Sequence, residues 1–388
     1  VKKLAAIFVL SFIMTLFGCQ KVQSQGEETL PDEKEVDLSE DNTAADESEA
    51  TKEAAAVEDK DAKEELEIVI PNEQDLVADY TSIAGLELEP GAHIAVVVMN
   101  PKSNYWKAVK KGIQQAVDEL NQTLGYTGQD KIYFTYEGPD DSAAAETQIN
   151  IIDAVLAENP QVLCISAIDR NSCQAQLETA QENGIPVIIL DSGVKSEELA
   201  YTVCETDNYN AGVQAAKKLC EKIGDTGAVQ IVAHLQNADT STKRENGFRD
   251  EVAQNHPNVR VLDTIYEDGE ESVNESLQAA FAGNPDVKGC FTTSESTGIT
   301  VLDYLAKNKL DEVHVVGFDA GAKQIEAIKS GKEYGVICQN PYGMGYATVV
   351  AAGRAILGME NDAYIDAGYQ WIDAANIDAE DNQKYLYE

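Results

Sequence analysis

The chain has 388 residues, 43% of them hydrophobic, enough for one or two domains with real cores. Its formal net charge of −39 excludes nucleic acid as a partner, because phosphate backbones are bound by basic patches. About half of that charge is local: residues 20–90 carry 23 Asp and Glu against 5 Lys and no Arg, a net of −18, and the remainder is ordinary for a soluble domain.

In chain order, Lys2 and Lys3 form a positive start, and Leu4 to Leu16 form an apolar run shorter than a bilayer needs. The run ends in "LFGC". A small residue before Cys19, with Leu16 three positions ahead, resembles the lipobox of bacterial lipoproteins, although Phe17 is bulkier than usual there. The resemblance implies a signal peptide over 1–18, a diacylated Cys19 as the mature N-terminus, and an anchor on the extracytoplasmic face of the cell membrane. A plain cleaved signal with a chance cysteine is the alternative. Each buried CH2 of an acyl chain contributes ~0.8 kcal/mol, so two chains hold far better than one. Residues 20–65 are rich in Glu, Asp, Ala, Ser and Thr, a composition that cannot offset ordering entropy, and the segment 19–90 reads as an acidic disordered tether. Within it, residues 66–90 are mixed, and "EIVIP" leaves its packing open.

From Gly91 short apolar runs alternate with helical patterns. The runs are "HIAVVVM", "KIYFTY", "VLCIS" and "PVIIL". In the first helix Trp106, Val109, Ile113, Val117 and Leu120 share one face, and the second carries Ile149, Ile152, Val155 and Leu156. After "YTVCETDNYNAG" the pattern restarts with "AVQIVA", "VRVLDTI", "VKGCFTT" and "VHVVGFD". It then adds "YGVICQ" and the helical "YGMGYATVVAAGRAIL". Near-continuous apolar strands between amphipathic helices predict an α/β fold of parallel sheets covered on both faces. Two such sets predict two doubly wound parallel-sheet lobes joined by several hinge crossings. Residues 91–206 and 340–366 would form the N-terminal lobe, and 207–339 and 367–388 the C-terminal lobe. Open sheets of this kind bind ligands beyond the carboxyl ends of their strands, and two facing lobes make a cleft. The loop after the first strand has no glycine for a phosphate; it leads instead to Tyr105 and Trp106.

No catalytic motif emerges: GxxxxGK[ST], HExxH, GxSxG and CxxC do not occur. His93, His234, His256 and His314 are scattered. Cys164, Cys173, Cys204, Cys220, Cys290 and Cys338 read as small buried thiols, and no Cys/His cluster has metal-ligand spacing. The pair Asp140–Asp141 reads as capping a helix that begins near Ser142. No cofactor, metal or catalytic residue is expected.

The elements "NYWKAVKKG", "NGIPVIILDSG", "ETDNYNAG", "KRENGF", "NPDVKGCFTTSE", "VHVVGFDAG" and "VICQNP" occur in an order and spacing that resembles the type I periplasmic sugar-binding proteins. The likeness to this ribose- and galactose-binding family covers roughly residues 91–371. It implies a monomeric carrier that takes a small-molecule sugar or polyol to an ABC permease. It also implies a ligand site of Tyr105 and Trp106 as stacking aromatics, Asp191 and Asp319 as carboxylates at strand ends, Gln339 near a crossing, Ser294, and Arg244. Arg244 could instead serve a structural ion pair, Trp106 a core face, and Asp191 a cap or turn. Asp207 is expected to cap the next helix at the first crossing. Three positions depart from the family pattern: Ser192 and Thr242 stand where arginine is common, and Ser294–Glu295 where Asn-Asp is common. They open the ligand to a nucleoside or a furanose signalling molecule. A sensory receptor presenting its closed form to a membrane histidine kinase is the alternative role.

Overall fold

The computed structural model describes residues 78–268 and 272–387. The expected signal peptide, Cys19 and the tether up to residue 77 lie outside the described residues. In chain order the elements are β1 (His93–Val97), α1 (Asn104–Leu124), β2 (Tyr133–Glu137), α2 (Ala145–Ala157), β3 (Val162–Ile165), α3 (Gln174–Glu182), β4 (Val187–Leu190), β5 (Thr202–Glu205), α4 (Asn208–Ile223) and β6 (Gly227–Ala233). There follow α5 (Asp239–Asn255), β7 (Val259–Val261), β8 (Ile265–Tyr266), α6 (Val273–Gly283), β9 (Val287–Thr292), α7 (Glu295–Asn308), β10 (His314–Phe318), α8 (Ala322–Lys329), β11 (Gly335–Gln339), α9 (Pro341–Ile356), β12 (Tyr364–Asp366) and β13 (Tyr369–Asp373).

The strands form two sheets, ordered β12-β5-β4-β3-β1-β2 and β13-β11-β10-β9-β6-β7, with β8 also paired to β6. Every pairing is parallel except β11 with β13. Both sheets place their second strand at one edge and wind outward in both directions, which is why their central strands are apolar on both faces. Residues of β1, β3 and β4 are buried throughout. The helical periodicity of α1 is realised: Trp106, Val109, Ile113, Val117 and Leu120 are all buried. In α2, Ile152, Val155 and Leu156 are buried while Ile149 packs at the margin.

One helix pair per lobe packs backbone to backbone. A Cβ on Gly112 of α1 would collide with the Tyr342 carbonyl, and one on Gly345 of α9 with the Val109 carbonyl. In the second lobe Gly212 of α4 meets the Arg244 carbonyl and Gly247 of α5 meets the Tyr209 carbonyl. These glycines bring α1 onto α9 and α4 onto α5, near the starts of α9 and α4.

Three readings change. The tether does not extend to residue 90. Leu86 and Leu88 are buried in the first lobe's core, and Tyr80 donates to Asn361 Oδ1 (3.3 Å) and accepts from the Asp362 amide (2.7 Å). Apolar residues spaced between the acids of this stretch give it a face to bury. The run "VRVLDTI" is two strands, not one; Gln230 Nε2 bonds the Asp263 carbonyl (2.8 Å) at the break. The second helix begins at Ala145, not near Ser142. Asp141 instead folds an Asx turn onto the Ala143 amide (3.0 Å), and Asp140 pairs with Lys102 (2.6 Å). The six cysteines among the described residues are all free and buried. Among the described residues no helix is long and apolar enough to cross a membrane.

Candidate functional site

The chain passes between the sheets at β5–α4, at β11–α9 and at β12–β13. These crossings are stitched together. Thr206 Oγ1 donates to Gln339 Oε1 (3.1 Å), the Ala367 amide to the Glu205 carbonyl (2.9 Å), and Asn340 Nδ2 to the Ala367 carbonyl (3.3 Å). Asp207 caps α4 at the first of them, accepting from the Asn210 amide (3.0 Å). Beside the crossings, a cavity of ≈ 430 Å³ opens between the carboxyl ends of the two sheets. Tyr105, Trp106, Asp191, Arg244, Ser294, Asp319 and Gln339 all line it.

Two carboxylates organise the site, one per lobe. Asp191 follows β4 and Asp319 follows β10, in the parallel contexts "LDSG" and "FDAG". Both adopt left-handed backbone angles, with φ of +66° and +74°. Each amide bonds the neighbouring strand: Asp191 to the Cys204 carbonyl (2.9 Å), Asp319 to the Ile337 carbonyl (2.8 Å). A non-glycine residue held at positive φ costs on the order of 1–3 kcal/mol, and such strain is held where it aims a side chain. Here it turns both carboxylates into the cleft.

Tyr105 stands in the first turn of α1, where Ser103 caps the helix through the Trp106 amide. Its hydroxyl donates to Asp191 Oδ1 (2.8 Å), with Gln339 Oε1 at 3.4 Å. Its ring meets Trp106 edge to face (5.1 Å) and the ring of Tyr387 (6.1 Å). Trp106 is both a cavity wall and a member of the first lobe's core. Across the cleft, Asp319 accepts from Gln339 Nε2 (2.8 Å) and from the Glu295 amide (3.2 Å).

Arg244 forms no ion pair among the described residues. Its Nε donates to Asn208 Oδ1 (2.8 Å), one Nη to the Thr293 carbonyl (2.7 Å), and the guanidinium lies 3.7 Å over the Phe318 ring. Neutral partners thus fix it while its charge faces the two aspartates. Burial raises both carboxyls, Asp191 to about 6, and the Arg244 charge opposes the rise. Ser294 lines the cavity, but its hydroxyl serves as N-cap of α7 in a capping box with Thr297. Ser192 is buried outside the cavity wall, and Thr242 bonds back to the Ala238 carbonyl (3.0 Å).

Sequence reasoning did not foresee several neighbours. Glu295 and His234 line the cavity; His234 pairs with Glu267 (2.7 Å). Lys102 and Ser103 line it from the loop before α1, a polar segment whose nearness to the aromatic pair was the available signal. Tyr387 reaches Tyr105 from the far end of the chain, where no local pattern could reveal it. On one flank the lobes touch directly. Arg170 Nη1 lies 3.4 Å from Asp239, its amide donates to the Asn237 carbonyl (3.0 Å), and Lys243 bridges Glu205 and Asp239 (2.6 Å each). Away from the cleft, at the carboxyl ends of α4 and α5, Cys220, Asp225 and His256 bring ligand-type atoms within 4.8 Å of one another, a grouping that sequence spacing did not reveal.

Residues 94–360 match the sequence family described as the periplasmic binding protein domain. A xylitol-binding protein of Mycolicibacterium smegmatis is 24% identical over 196 residues, 50% of this chain and 56% of its own length, so the match spans little over half of that relative. A ribose import binding protein of Haemophilus influenzae is 24% identical over 273 residues, 70% of this chain and 88% of its own. Among solved structures, an ABC transporter solute binding protein from Agrobacterium vitis bound with alpha-D-tagatopyranose is 26% identical. Its TM-score is 0.69, over 76% of this chain and 99% of that one.

Proposed function

The chain belongs to the periplasmic binding protein family, whose members bind solutes and are not enzymes, and we propose that it captures a small carbohydrate-like ligand between its lobes and delivers it to an ABC importer. One observation carries the reading: Asp191 and Asp319, equivalent strand-end carboxylates of the two lobes, converge on one cavity of ≈ 430 Å³ walled by Tyr105 and Trp106. A carboxylate accepts several hydroxyls at once, and flat aromatic rings cover the apolar C–H faces of a sugar at little entropic cost. A ligand held by both lobes favours the closed arrangement over the open one by its differential affinity. The relatives that bind xylitol, ribose and tagatose support the same class of solute.

In this reading Tyr105, Trp106, Asp191, Arg244, Asp319 and Gln339 contact the ligand, with Ser294 at the margin. A diacylated Cys19 would hold the protein at the extracytoplasmic face of the membrane, on the acidic segment as a tether, working as a monomer. The test is a thermal-shift screen of sugars, polyols, nucleosides and amino acids. A ligand at a hundred times its Kd adds about 2.7 kcal/mol of stability. A sugar or polyol should raise Tm in the wild type and in neither Trp106→Ala nor Asp319→Ala, both still folded. A response to nucleosides or amino acids alone would reject the ligand class.

A further inference from the structure

We propose that the ligand selected by this cleft is a cation: an aminated sugar or polyol in preference to its neutral parent. This deepens the carbohydrate reading above and rests on it. The charges lining the cavity do not balance. Asp191, Glu295 and Asp319 face it, against Arg244. The other basic lining groups are already matched, Lys102 by Asp140 (2.6 Å) and His234 by Glu267 (2.7 Å). Arg244 spends two of its donors on the neutral Asn208 and Thr293 rather than on an acid.

Glu295 is the decisive residue. Asp191 has a protein donor in Tyr105, and Asp319 has one in Gln339. The Glu295 carboxylate has no hydrogen bond or ion pair among the described residues, although its own amide is spent on Asp319. It lies so close to Gly321 that any side chain there would collide with it, so the glycine makes the room it occupies. Burial and the nearby Asp319 raise its carboxyl to about 7, which is the mark of a carboxylate lacking a counter-charge. Closing the lobes over a neutral solute would desolvate these acids with one guanidinium between them. An ammonium group on the ligand supplies the missing positive charge and three donors.

The experiment is a calorimetric titration, at about pH 7, of the full chain with matched pairs: D-glucose and D-glucosamine, D-galactose and D-galactosamine, D-mannose and D-mannosamine, xylitol and 1-amino-1-deoxyxylitol. In the pair that binds best, the aminated member should bind about tenfold tighter or more, and Glu295→Gln should erase most of that ratio. A neutral parent that binds as tightly as its aminated partner, or tighter, overturns the inference and leaves the carbohydrate reading standing. If no member of any pair binds, the inference falls, while the carbohydrate reading is decided separately by the thermal-shift screen above. The wild-type ratios decide the matter even if the variant does not fold.

Discussion

Glu333 shows how much a single buried side chain weighs here. It is fully enclosed in the second lobe; Gln324 Nε2 reaches its Oε1 (3.4 Å), and its Oε2 has no partner among the described residues. Burial holds its carboxyl at about 8, far above the ordinary range. The folded protein therefore keeps a proton that the unfolded chain releases, and stability falls as pH rises from about 5 to about 8. Glu333→Gln should be more stable than the wild type at about pH 8, and the gain should fade toward pH 5. Urea titrations at both pH values check this, and a gain independent of pH would contradict it. The residues of the cleft were legible to different degrees. Tyr105, Asp191 and Asp319 stand at strand or helix ends, so their place followed from the alternation of elements. Glu295 opens α7 directly after Ser294, so the same signal reached it although it was not singled out as a site residue; Tyr387 owes its place to how the chain's end returns to the cleft, which no local pattern records. Ser294 was legible as a residue of the cleft, yet its hydroxyl is occupied by the helix it caps.

At the scale of elements, the helix pairs α1–α9 and α4–α5 set the geometry on which the crossings rest. Gly345 and Gly112 let two backbones touch, so Gly345→Val forces the helices apart. It should cost about 3 kcal/mol or more, as overpacking with backbone displacement does. Gly283, at the end of α6, faces open space. Gly283→Ala should be neutral or stabilising by up to about 1 kcal/mol. Equal effects of the two substitutions in chemical denaturation would refute the packing argument. The helices and central strands were legible because burial on one stripe or on both faces writes its period into the sequence. The division of β7 from β8 was not read, because its one local sign is Asp263 and the Gln230 side chain that holds the break comes from another strand. The docking of residues 78–90 was also hidden, since a few apolar residues among acids carry no clear period.

At the scale of the whole molecule, the lobes are coupled through the stitched crossings and through the pairs Arg170–Asp239 and Lys243–Glu205. Arg170 belongs to the first lobe and Asp239 to the second, so their pairing favours the closed arrangement. Arg170→Ala should leave the fold intact, enlarge the radius of gyration of the ligand-free protein in small-angle scattering, and weaken apparent ligand affinity by roughly three- to tenfold through the reduced closed fraction. Unchanged scattering and affinity would show that the contact does not bias closure.

The central claim is that one ligand is gripped by both lobes at once, through carboxylates set at equivalent strand ends. Calorimetric titration of the best-binding sugar or polyol into wild type, Asp191→Asn and Asp319→Asn tests it most directly. Each substitution, in whichever lobe, should lower affinity by about a hundredfold, ~2.7 kcal/mol. Wild-type affinity in either variant would mean that one lobe alone holds the ligand, and would contradict the account.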